Sequence, residues 1–414
     1  MKNKNKPNVT IFAGGRGNKN LFSAMKKQMN DINELSVIIN GLDDGASTGE
    51  IRRLFNYKAH GISDFLKAIL SLSPDKKLID AMEARFPYVN NFEERLLLYK
   101  NLHKILYKDY TPKYFEPLSL ISENKRKLII EKLGIFFNYF YINRDEIIDI
   151  EDFKIGNILF AALLIESNLD FNKAISAFSK FCNLDSNIKI YPNSNSVRYL
   201  SGLLKNGILL PNEASVVLTR TTHSIKDIYQ MANPITMNQI RKLSSIEIED
   251  KINFLESLRS IPDHNEGTKD KLISGDIIIY GSGTPYSSIL PSLETKNVAS
   301  FISENTAPKV MIANLKKETN NFVNISDLVE DLFKHLSRST TKKLNKKDLL
   351  THLIVSEDTD SNIKSNSITF DESVIMQKYP WVKIIKDNFT DESNAAAHNG
   401  KKVLEAILRI VNDK

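Results

Sequence analysis

Short apolar runs alternate with a helical pattern along the first fifty residues. Residues 8–13 (NVTIFA) form a β-branched, apolar run that ends at a glycine turn, and apolar residues between 21 and 32 then recur at near-helical spacing. A second apolar run, residues 35–40 (LSVIIN), leads into an acidic loop. The order strand, glycine loop, helix, strand predicts the opening of a parallel, doubly wound sheet.

Long amphipathic segments follow, and strand patterns return after them. Residues 62–150 are rich in Leu, Ile, Phe, Tyr and Lys at helical spacing, which predicts a helical insertion. A further helix is predicted from residue 158 to about 181. Later apolar runs predict strands at 188–191, 208–210, 215–219, 276–280, 298–302 and 309–313. The run at 276–280 (DIIIY) lacks polar alternation, which is typical of a strand buried on both faces.

These patterns predict an α/β fold with a Rossmann-like, open and mostly parallel sheet, helices on both faces and a helical insertion. We expect the first part of the core at residues 1–61 and the insertion at 62–150. The remainder of the core is expected at 151–330, and a C-terminal α/β segment at 331–414 is expected to close the same core.

Composition narrows the class of protein. The chain has 414 residues, of which 42% are hydrophobic and 26% charged, as in folded globular proteins. The net charge of +6 is mild, and no basic stripe interleaved with aromatic residues is present, so we expect no nucleic-acid partner. The single cysteine excludes an intramolecular disulfide. The longest apolar stretch is far shorter than the roughly 20 residues of a membrane span, which predicts a cytoplasmic protein without membrane insertion.

Two glycine-rich loops follow predicted strands. AGGRGNKN, residues 13–20, lies between a strand and a helix, and GSGTPYSSILP, residues 281–291, follows the apolar strand at 276–280. Glycines let the backbone approach a ligand, and free amides at a helix N-terminus suit a phosphate. The first loop is neither a dinucleotide fingerprint nor a Walker A loop, and its alternative interpretation is a glycine turn that only reverses the chain. As a pair they predict a shared phosphate cleft.

The acidic loop after the second strand, GLDDGASTGEIR at residues 41–52, is the third candidate site. Ligands of open parallel sheets lie outside the carboxyl ends of the strands. Adjacent carboxylates beside hydroxyl groups can hold Mg²⁺ or a ribose hydroxyl. The alternative is that Asp43 or Asp44 merely caps the next helix. We interpret His398, in AAAHNGKKV, first as a polar residue at the start of a helix.

The order of these motifs resembles the family that contains 2-phospho-L-lactate transferase (CofD) and the UDP-sugar-binding gluconeogenesis factor (YvcK). Similar family elements are GGGTG, DDGGSTGxLR, GNLLxAAL, GPGSLYTSIIPNLL and NLMTQxGET, which match AGGRG at 13–17, DDGASTGEIR at 43–52, GNILFAALL at 156–164, GSGTPYSSILPSLE at 281–294 and NLKKETNNF at 314–322. Ala13 and Ala46 replace family glycines, and Arg16 replaces a small polar residue.

The resemblance implies that a small molecule with a nucleotide diphosphate binds at the strand ends. The implied ligand-binding residues are Gly14, Gly15, Arg16, Gly17, Ser47, Thr48, Arg52, Lys67, Asn157, Gly281, Ser282, Gly283, Thr284 and Ser287. Asp43, Asp44 and Asp64 are the implied catalytic residues, and Asp43 and Asp44 would hold Mg²⁺. Family members often form dimers, so a homodimer is one assembly that the resemblance allows.

Two functions from different classes follow from the resemblance. A CofD-like transferase would move a phospholactyl or phosphoenolpyruvyl group from a nucleotide-linked donor to a hydroxyl acceptor, with Mg²⁺. A YvcK-like protein would bind a UDP-sugar without catalysis and regulate carbon or cell-envelope metabolism through a partner. The DDGASTG motif favours the second branch. A divergent relative that acts on another nucleotide-linked substrate is a variant of these two.

Overall fold

The chain forms two compact units in a computed structural model that describes residues 6–106, 115–143, 150–220, 222–318, 321–357 and 367–413. Unit 1 contains Met1–Leu42 and Ser186–Lys414, and unit 2 contains Asp43–Asp185. Unit 2 is therefore inserted into the sequence of unit 1. None of the helices in the described ranges has the length and apolar character that a membrane span needs.

Every strand formed by the described residues belongs to unit 1. In chain order these are β1 (Asn8–Ala13), β2 (Glu34–Ile39), β3 (Ile188–Pro192), β4 (Tyr199–Leu204), β5 (Leu209–Leu210), β6 (Ile225–Met231), β7 (Ile277–Tyr280), β8 (Lys309–Ile312), β9 (His352–Ser356), β10 (Lys383–Asp387), β11 (Thr390–Asp391) and β12 (Asn394–His398). Among them, seven strands form a parallel sheet in the order β10-β9-β8-β7-β1-β2-β3. β4, β5 and β6 form an antiparallel sheet, and β11 pairs with β12.

The helices of the described residues are divided between the two units. Those of unit 1 are α1 (Lys19–Lys27), α10 (Glu213–Thr219), α11 (Met237–Ser244), α12 (Ile248–Leu258), α13 (Glu266–Ser274), α14 (Leu290–Leu293), α15 (Val298–Glu304), α16 (Ile325–Arg338), α17 (Glu372–Lys378) and α18 (Gly400–Asn412). Those of unit 2 are α2 (Ala46–Leu54), α3 (Ser63–Leu72), α4 (Lys76–Glu83), α5 (Phe92–Leu106), α6 (Glu116–Ser119), α7 (Glu123–Ile142), α8 (Ile155–Glu166) and α9 (Phe171–Phe181). A π-helical turn, Pro285–Ile289, precedes α14.

The strand order of the large sheet fixes where a ligand is expected. From β1 the chain builds outward through β2 and β3 on one side, and from β7 through β8, β9 and β10 on the other. The order therefore reverses between β1 and β7, and in open parallel sheets ligands bind at the carboxyl ends beside such a switch point. A parallel sheet flanked by helices confirms the predicted Rossmann-like α/β class.

The core of unit 1 lies between this sheet and the helices that follow β7. All four residues of β7 are buried, which confirms the strand that the run DIIIY predicted. Tyr280, Leu293, Phe301, Leu332 and Leu353 belong to one buried cluster, so α14, α15 and α16 pack against β7 and β9. A second cluster joins the antiparallel sheet to α11 and α12.

Two predicted strands are helices. Residues 215–219 lie in α10 and residues 298–302 lie in α15. Asn212 caps α10, since its side chain accepts a hydrogen bond from the backbone nitrogen of Ser215 at 2.9 Å. A short apolar run carries no period that separates a buried helix from a buried strand. The two predictions failed for that reason.

The described residues of unit 2 form helices joined by loops, with one isolated antiparallel bridge between Arg85 and Lys154. The helices of the predicted 62–150 insertion, α3 to α7, belong to it. The helix predicted at 158–181 is interrupted, because α8 ends at Glu166 and α9 begins at Phe171. Asn168 and Leu169 have φ angles of 51° and 62°, which end the first helix. Phe160 and Phe171 pack with a centroid separation of 5.4 Å between the two helices.

Candidate functional site

The two glycine loops of unit 1 are in backbone contact at the switch point. Gly14–Gly17 follow β1, and Gly281–Thr284 follow β7. Gly15 has a φ of 57°, a conformation that favours glycine. A Cβ on Gly17 would lie 2.5 Å from the carbonyl oxygen of Ser282, so only glycine permits this approach. The structure therefore brings together the two loops that the sequence singled out, while their role in binding stays a prediction.

Two buried asparagines fix the backbone around these loops. Asn18 Nδ2 donates to the carbonyl oxygen of Ser282 at 2.7 Å, and Ser282 Oγ donates to the carbonyl oxygen of Gly17 at 3.1 Å. At the end of β2, Asn40 Nδ2 donates to the carbonyl oxygen of Ser287 at 3.2 Å. Ser287 itself is buried in the π-helical turn. These hydrogen bonds within the protein therefore fix the conformation of the loops without a contribution from a ligand.

A cavity of about 320 Å³ lies over the two loops within unit 1. Its charged or titratable lining, as far as the structure describes it, consists of Arg16, Arg220, Lys316, Lys317, Glu318 and His398. Four of these side chains are cationic and one is acidic, so the cavity is positive although the whole chain carries only +6. Such a cavity attracts anions. Of the ligand-binding residues predicted from sequence, Arg16, Gly17, Ser282, Gly283 and Thr284 line it.

The segment after β8 supplies the opposite wall of this cavity. Asn314 Nδ2 donates to the carbonyl oxygen of Gly283 at 2.9 Å, which ties this segment to the second glycine loop. His398 ends β12 rather than starting a helix, so that interpretation was wrong. Its Nε2 lies 3.0 Å from the carbonyl oxygen of Ala313. Burial lowers the pKa of His398 to about 4, so the ring is neutral at pH 7.

Glu318 and Arg220 form an ion pair at the cavity wall, with Oε1 and Nε 3.5 Å apart. Burial raises the pKa of Glu318 to about 7, and the charge of Arg220 only partly opposes this. The sequence analysis missed both residues. Glu318 lies in NLKKETNNF, which follows a correctly predicted strand. Its position at the carboxyl edge of the sheet could therefore have been predicted from the sequence. Arg220 was missed because α10 was taken for a strand.

In unit 2, Asp43 and Asp64 form a pair of interacting carboxylates. Burial, and then the charge of Asp64, raise the pKa of Asp43, while Lys67 acts in the opposite direction. Lys67 Nζ lies 2.8 Å from Asp64 Oδ1. The backbone nitrogen of Gly45 donates to Asp43 Oδ1 at 3.2 Å. Asp43, Asp64 and Lys67, all predicted from sequence, therefore lie together.

The other predicted residues of unit 2 face one another inside the unit. Arg52 is fully buried, and its Nη1 lies 3.4 Å from Asp44 Oδ1. Burial raises the pKa of Asp44, and Arg52 opposes this rise. Asn157 Nδ2 donates to Ser47 Oγ at 2.8 Å, and Thr48 is buried beside them in α2. Asp44 thus faces a guanidinium, whereas Asp43 faces a second carboxylate.

Ala46 occupies a backbone conformation that suits the glycine it replaces. Its φ is 41°, in the left-handed region, where a side chain costs about 1–2 kcal/mol. α2 nevertheless begins at this residue. The loop therefore keeps its shape without the family glycine.

The carboxylates of unit 2 include a donor set of the kind that Mg²⁺ uses in proteins. Asp43 and Asp64 would provide the one or two carboxylates of such a site, and the pKa of Asp43 is raised first by burial and then by the charge of Asp64. Across the described ranges, no group of three or more His, Cys, Asp or Glu residues could hold a metal by itself. A metal would therefore need oxygen ligands from a bound molecule or water.

The chain matches a known family over most of its length. Residues 9–390 fit the sequence pattern of the family described as 2-phospho-L-lactate transferase CofD. The chain belongs to the CofD family. The matched range of this CofD-family member includes both glycine loops and the acidic loop. The match confirms the resemblance to the CofD/YvcK family that the sequence motifs indicated.

Curated relatives of this CofD-family chain have matching length. A putative gluconeogenesis factor from Streptococcus pneumoniae is 23% identical over 420 residues, covering 99% of both chains. The gluconeogenesis factor of Listeria monocytogenes is 21% identical and covers 99% of this chain and 98% of its own. The crystal structure of protein BH3568 from Bacillus halodurans superposes with a TM-score of 0.66 at 20% identity, covering 98% of this chain and 100% of its own. A second structure of that protein, described as a UPF0052 family member, gives 0.65. At this identity the structural likeness supports the fold.

Proposed function

We propose that this CofD-family protein binds a nucleotide-diphosphate ligand at the carboxyl edge of the sheet in unit 1. The observation that carries the proposal is the contact between the two glycine loops at the switch point, beneath a cavity with four cationic side chains. Backbone amides of residues 14–17 and 281–284 would donate to the diphosphate, and Arg16 and Arg220 would offset its charge. A volume of about 320 Å³ lies within the usual range of ligand pockets.

We further propose that the carboxylate pair of unit 2 binds Mg²⁺. Asp43 and Asp64 are the proposed ligands of the ion, whose chemistry is to neutralise phosphate charge. Lys67 keeps Asp64 in place through their 2.8 Å ion pair. Asp44, which the sequence analysis also assigned to the metal, is the weaker candidate because it faces Arg52.

The function that we favour is binding of a UDP-sugar by a regulatory protein without turnover. The DDGASTG motif and the relatives named gluconeogenesis factor, which match nearly the whole chain, support it. The family description supports the second candidate, Mg²⁺-dependent transfer of a phosphate-containing group. Both functions need the same diphosphate contacts and differ only in whether the ligand is consumed.

A thermal-shift and calorimetry screen tests the proposal. The purified protein with Mg²⁺ is titrated with UDP, UDP-N-acetylglucosamine, GDP, GTP and ATP. A ligand at about 100 times its Kd stabilises the fold by about 2.7 kcal/mol, which gives a measurable rise in Tm. A shift with UDP-N-acetylglucosamine that is recovered unchanged supports the regulatory function. A shift with guanosine nucleotides favours the transferase, and no shift with any nucleotide contradicts the proposal.

The matched variants Asp64→Asn and Asp80→Asn test the magnesium site separately. Asp64 belongs to the carboxylate pair, whereas Asp80 is a half-exposed residue of α4 that pairs with Lys76. We expect Asp64→Asn to weaken the binding of Mg²⁺, measured by calorimetry with the metal alone, and Asp80→Asn to keep it. Equal Mg²⁺ affinity in both variants would exclude Asp64 as a metal ligand.

A further inference from the structure

Glu318 is the one acidic side chain in the described lining of the cationic cavity. A carboxylate repels the phosphates that this cavity is proposed to bind. Its side chain is only 13% exposed, so water screens this repulsion poorly. An acid at this position needs a physical explanation, since the four surrounding cations would bind an anion more tightly without it.

Asn321 holds Glu318 and Arg220 in fixed positions. Asn321 is buried, and its Nδ2 donates to the carbonyl oxygens of Arg220 at 3.1 Å and His223 at 2.9 Å. Its Oδ1 accepts from the backbone nitrogen of Ile225 at 2.7 Å. Its backbone nitrogen donates to the carbonyl oxygen of Glu318 at 2.6 Å. The side chain and backbone of Asn321 therefore tie the end of α10, the start of β6 and the Glu318 backbone together, which holds the acid at a fixed place in the cavity wall.

The Glu318 carboxyl group is only half paired. Oε1 lies 3.5 Å from Arg220 Nε, which is long for a charge-assisted hydrogen bond. Oε2 is buried and has no hydrogen-bond partner within the part of the chain that the structure describes. Leaving an ionised oxygen buried without a donor is costly. A proton on the carboxyl group removes that cost.

Other charged or titratable groups line the same cavity or interact with the charge of Glu318. They are Arg220 at the end of α10, Arg16 in the first glycine loop, Lys316 and Lys317 on its own segment, Tyr286 in the π-helical turn and His398 at the end of β12. Burial lowers the pKa of His398 to about 4 and raises the pKa of Tyr286. Neither ring therefore titrates between pH 6 and pH 8.5, and Glu318, with a pKa of about 7, does.

We propose that Glu318 takes up a proton when the ligand binds, because a phosphate in the cavity would add a repulsion that the single Arg220 partner does not offset, so that the ligand and one proton bind together. The proton comes from solvent, no covalent bond changes, and Arg220 stays available to the phosphate. This inference rests on the proposed function, since it needs a phosphate in the cavity. It makes Glu318 a residue that sets how the affinity for the ligand depends on pH.

Calorimetric titration of the full chain with UDP-N-acetylglucosamine between pH 6 and pH 8.5 tests the inference. Both phosphates of this probe carry one charge each throughout that range, so its own titration does not interfere. We expect affinity to fall by about tenfold per pH unit above pH 7, and buffers of different ionisation enthalpy to report proton uptake that rises from near zero at pH 6 towards one proton at pH 8.5. Glu318→Gln is neutral at every pH and should bind with nearly pH-independent affinity.

Glu405→Gln on α18 is the matched control, because Glu405 is half exposed and pairs only loosely with Lys401 at 3.8 Å. It should keep the wild-type pH dependence. Wild-type affinity that does not change with pH, or an equal slope in Glu318→Gln, would overturn the inference while leaving the proposed function intact. Absence of binding at every pH would instead contradict the proposed function. Circular dichroism of both variants establishes that they are folded.

Discussion

Two buried glutamates in unit 1, Glu294 and Glu318, have opposite surroundings. Glu294 is fully buried, and its Oε1 lies 2.7 Å from His335 Nδ1 and 2.8 Å from Arg338 Nη1, with Arg259 Nη1 at 3.2 Å from Oε2. Burial alone would raise the pKa of Glu294, but these partners outweigh it and lower the pKa. Glu318 has one partner at 3.5 Å, and burial raises its pKa to about 7.

The difference teaches that the partners of a buried acid, and not its burial, indicate its role. The cluster around Glu294 also contains Asp227, whose pKa is lowered by Arg338 and Lys334 against the effect of burial. It joins β6, α14 and α16 through charges that are mutually compensated. The cavity around Glu318 keeps cations that the fold itself does not neutralise. We therefore expect the cluster to control stability and the cavity to control binding.

Glu294→Gln should have the largest effect on stability. The substitution leaves the partly buried Arg259 and Arg338 without the carboxylate between them, and breaking a buried ion pair costs about 3–5 kcal/mol. Urea titration at pH 7 measures the loss. Because the pKa of Glu294 is lowered in the folded state, its contribution is present above the unfolded pKa of about 4.3 and is lost as pH falls.

The control for this comparison is Glu256→Gln. Glu256 also pairs with Arg259, but it is 44% exposed, and such surface pairs contribute about 0–1 kcal/mol. Similar losses in the two variants would contradict the assignment of Glu294 to a structural cluster. The free energy of unfolding should also decrease less on acidification in Glu294→Gln than in the unaltered protein, because the variant has lost the carboxylate whose protonation destabilises the fold.

Glu318→Gln should change the stability of the ligand-free protein in the opposite direction. The raised pKa means that the folded state binds the proton more tightly than the unfolded state, whose pKa is about 4.3. Glu318 therefore destabilises the fold progressively as pH rises from about 4.3 to about 7, by up to about 3 kcal/mol. The variant should gain stability relative to the unaltered protein at pH 8 and little at pH 5. A decrease in the stability of the variant at pH 8 would instead show that Glu318, like Glu294, stabilises the fold.

Gly17→Ala sharpens the comparison at the backbone of the cavity. The new Cβ would lie 2.5 Å from the carbonyl oxygen of Ser282, a backbone atom, so the loops must separate. We expect a loss of about 1–3 kcal/mol and no ligand-induced rise in Tm. Gly134→Ala in α7 is the control, because nothing lies within 4 Å of its Cβ position, and it should stabilise by about 0.5–1 kcal/mol. Retained ligand binding in Gly17→Ala would contradict the proposed site.

The sequence predicted the sheet where runs of apolar residues are unambiguous. β1, β2 and β7 were found because they are buried and apolar, and the glycine loops after β1 and β7 followed from them. β9 and β10 were missed: β10 (KIIKD) is a short edge strand with charged ends, and its neighbour β9 (HLIVS) was not recognised as a strand. Short apolar runs alone could not separate α10 and α15 from strands.

The candidate site was predictable only where chemistry is local in sequence. Glycines beside strand ends are such a signal, and the contact of the two loops followed from the parallel sheet. The roles of Glu294 and Glu318 depend on distant residues: Arg338 is 44 positions from the first, and Arg220 is 98 positions from the second. No local pattern distinguishes a glutamate that will meet two arginines and a histidine from one that will meet a single arginine at 3.5 Å.

Arg16→Gln should have the smallest effect on stability and still a clear effect on binding. Arg16 is exposed in the first glycine loop, so its replacement should shift Tm by less than about 2 °C. Loss of a charge-assisted contact to phosphate should weaken UDP-N-acetylglucosamine binding by about tenfold or more. Lys19→Gln removes the same charge three residues further on, outside the described lining of the cavity, and should weaken binding far less. Equal losses in the two variants would mean that Arg16 acts only through the general positive field, and the cavity would then need a different phosphate contact.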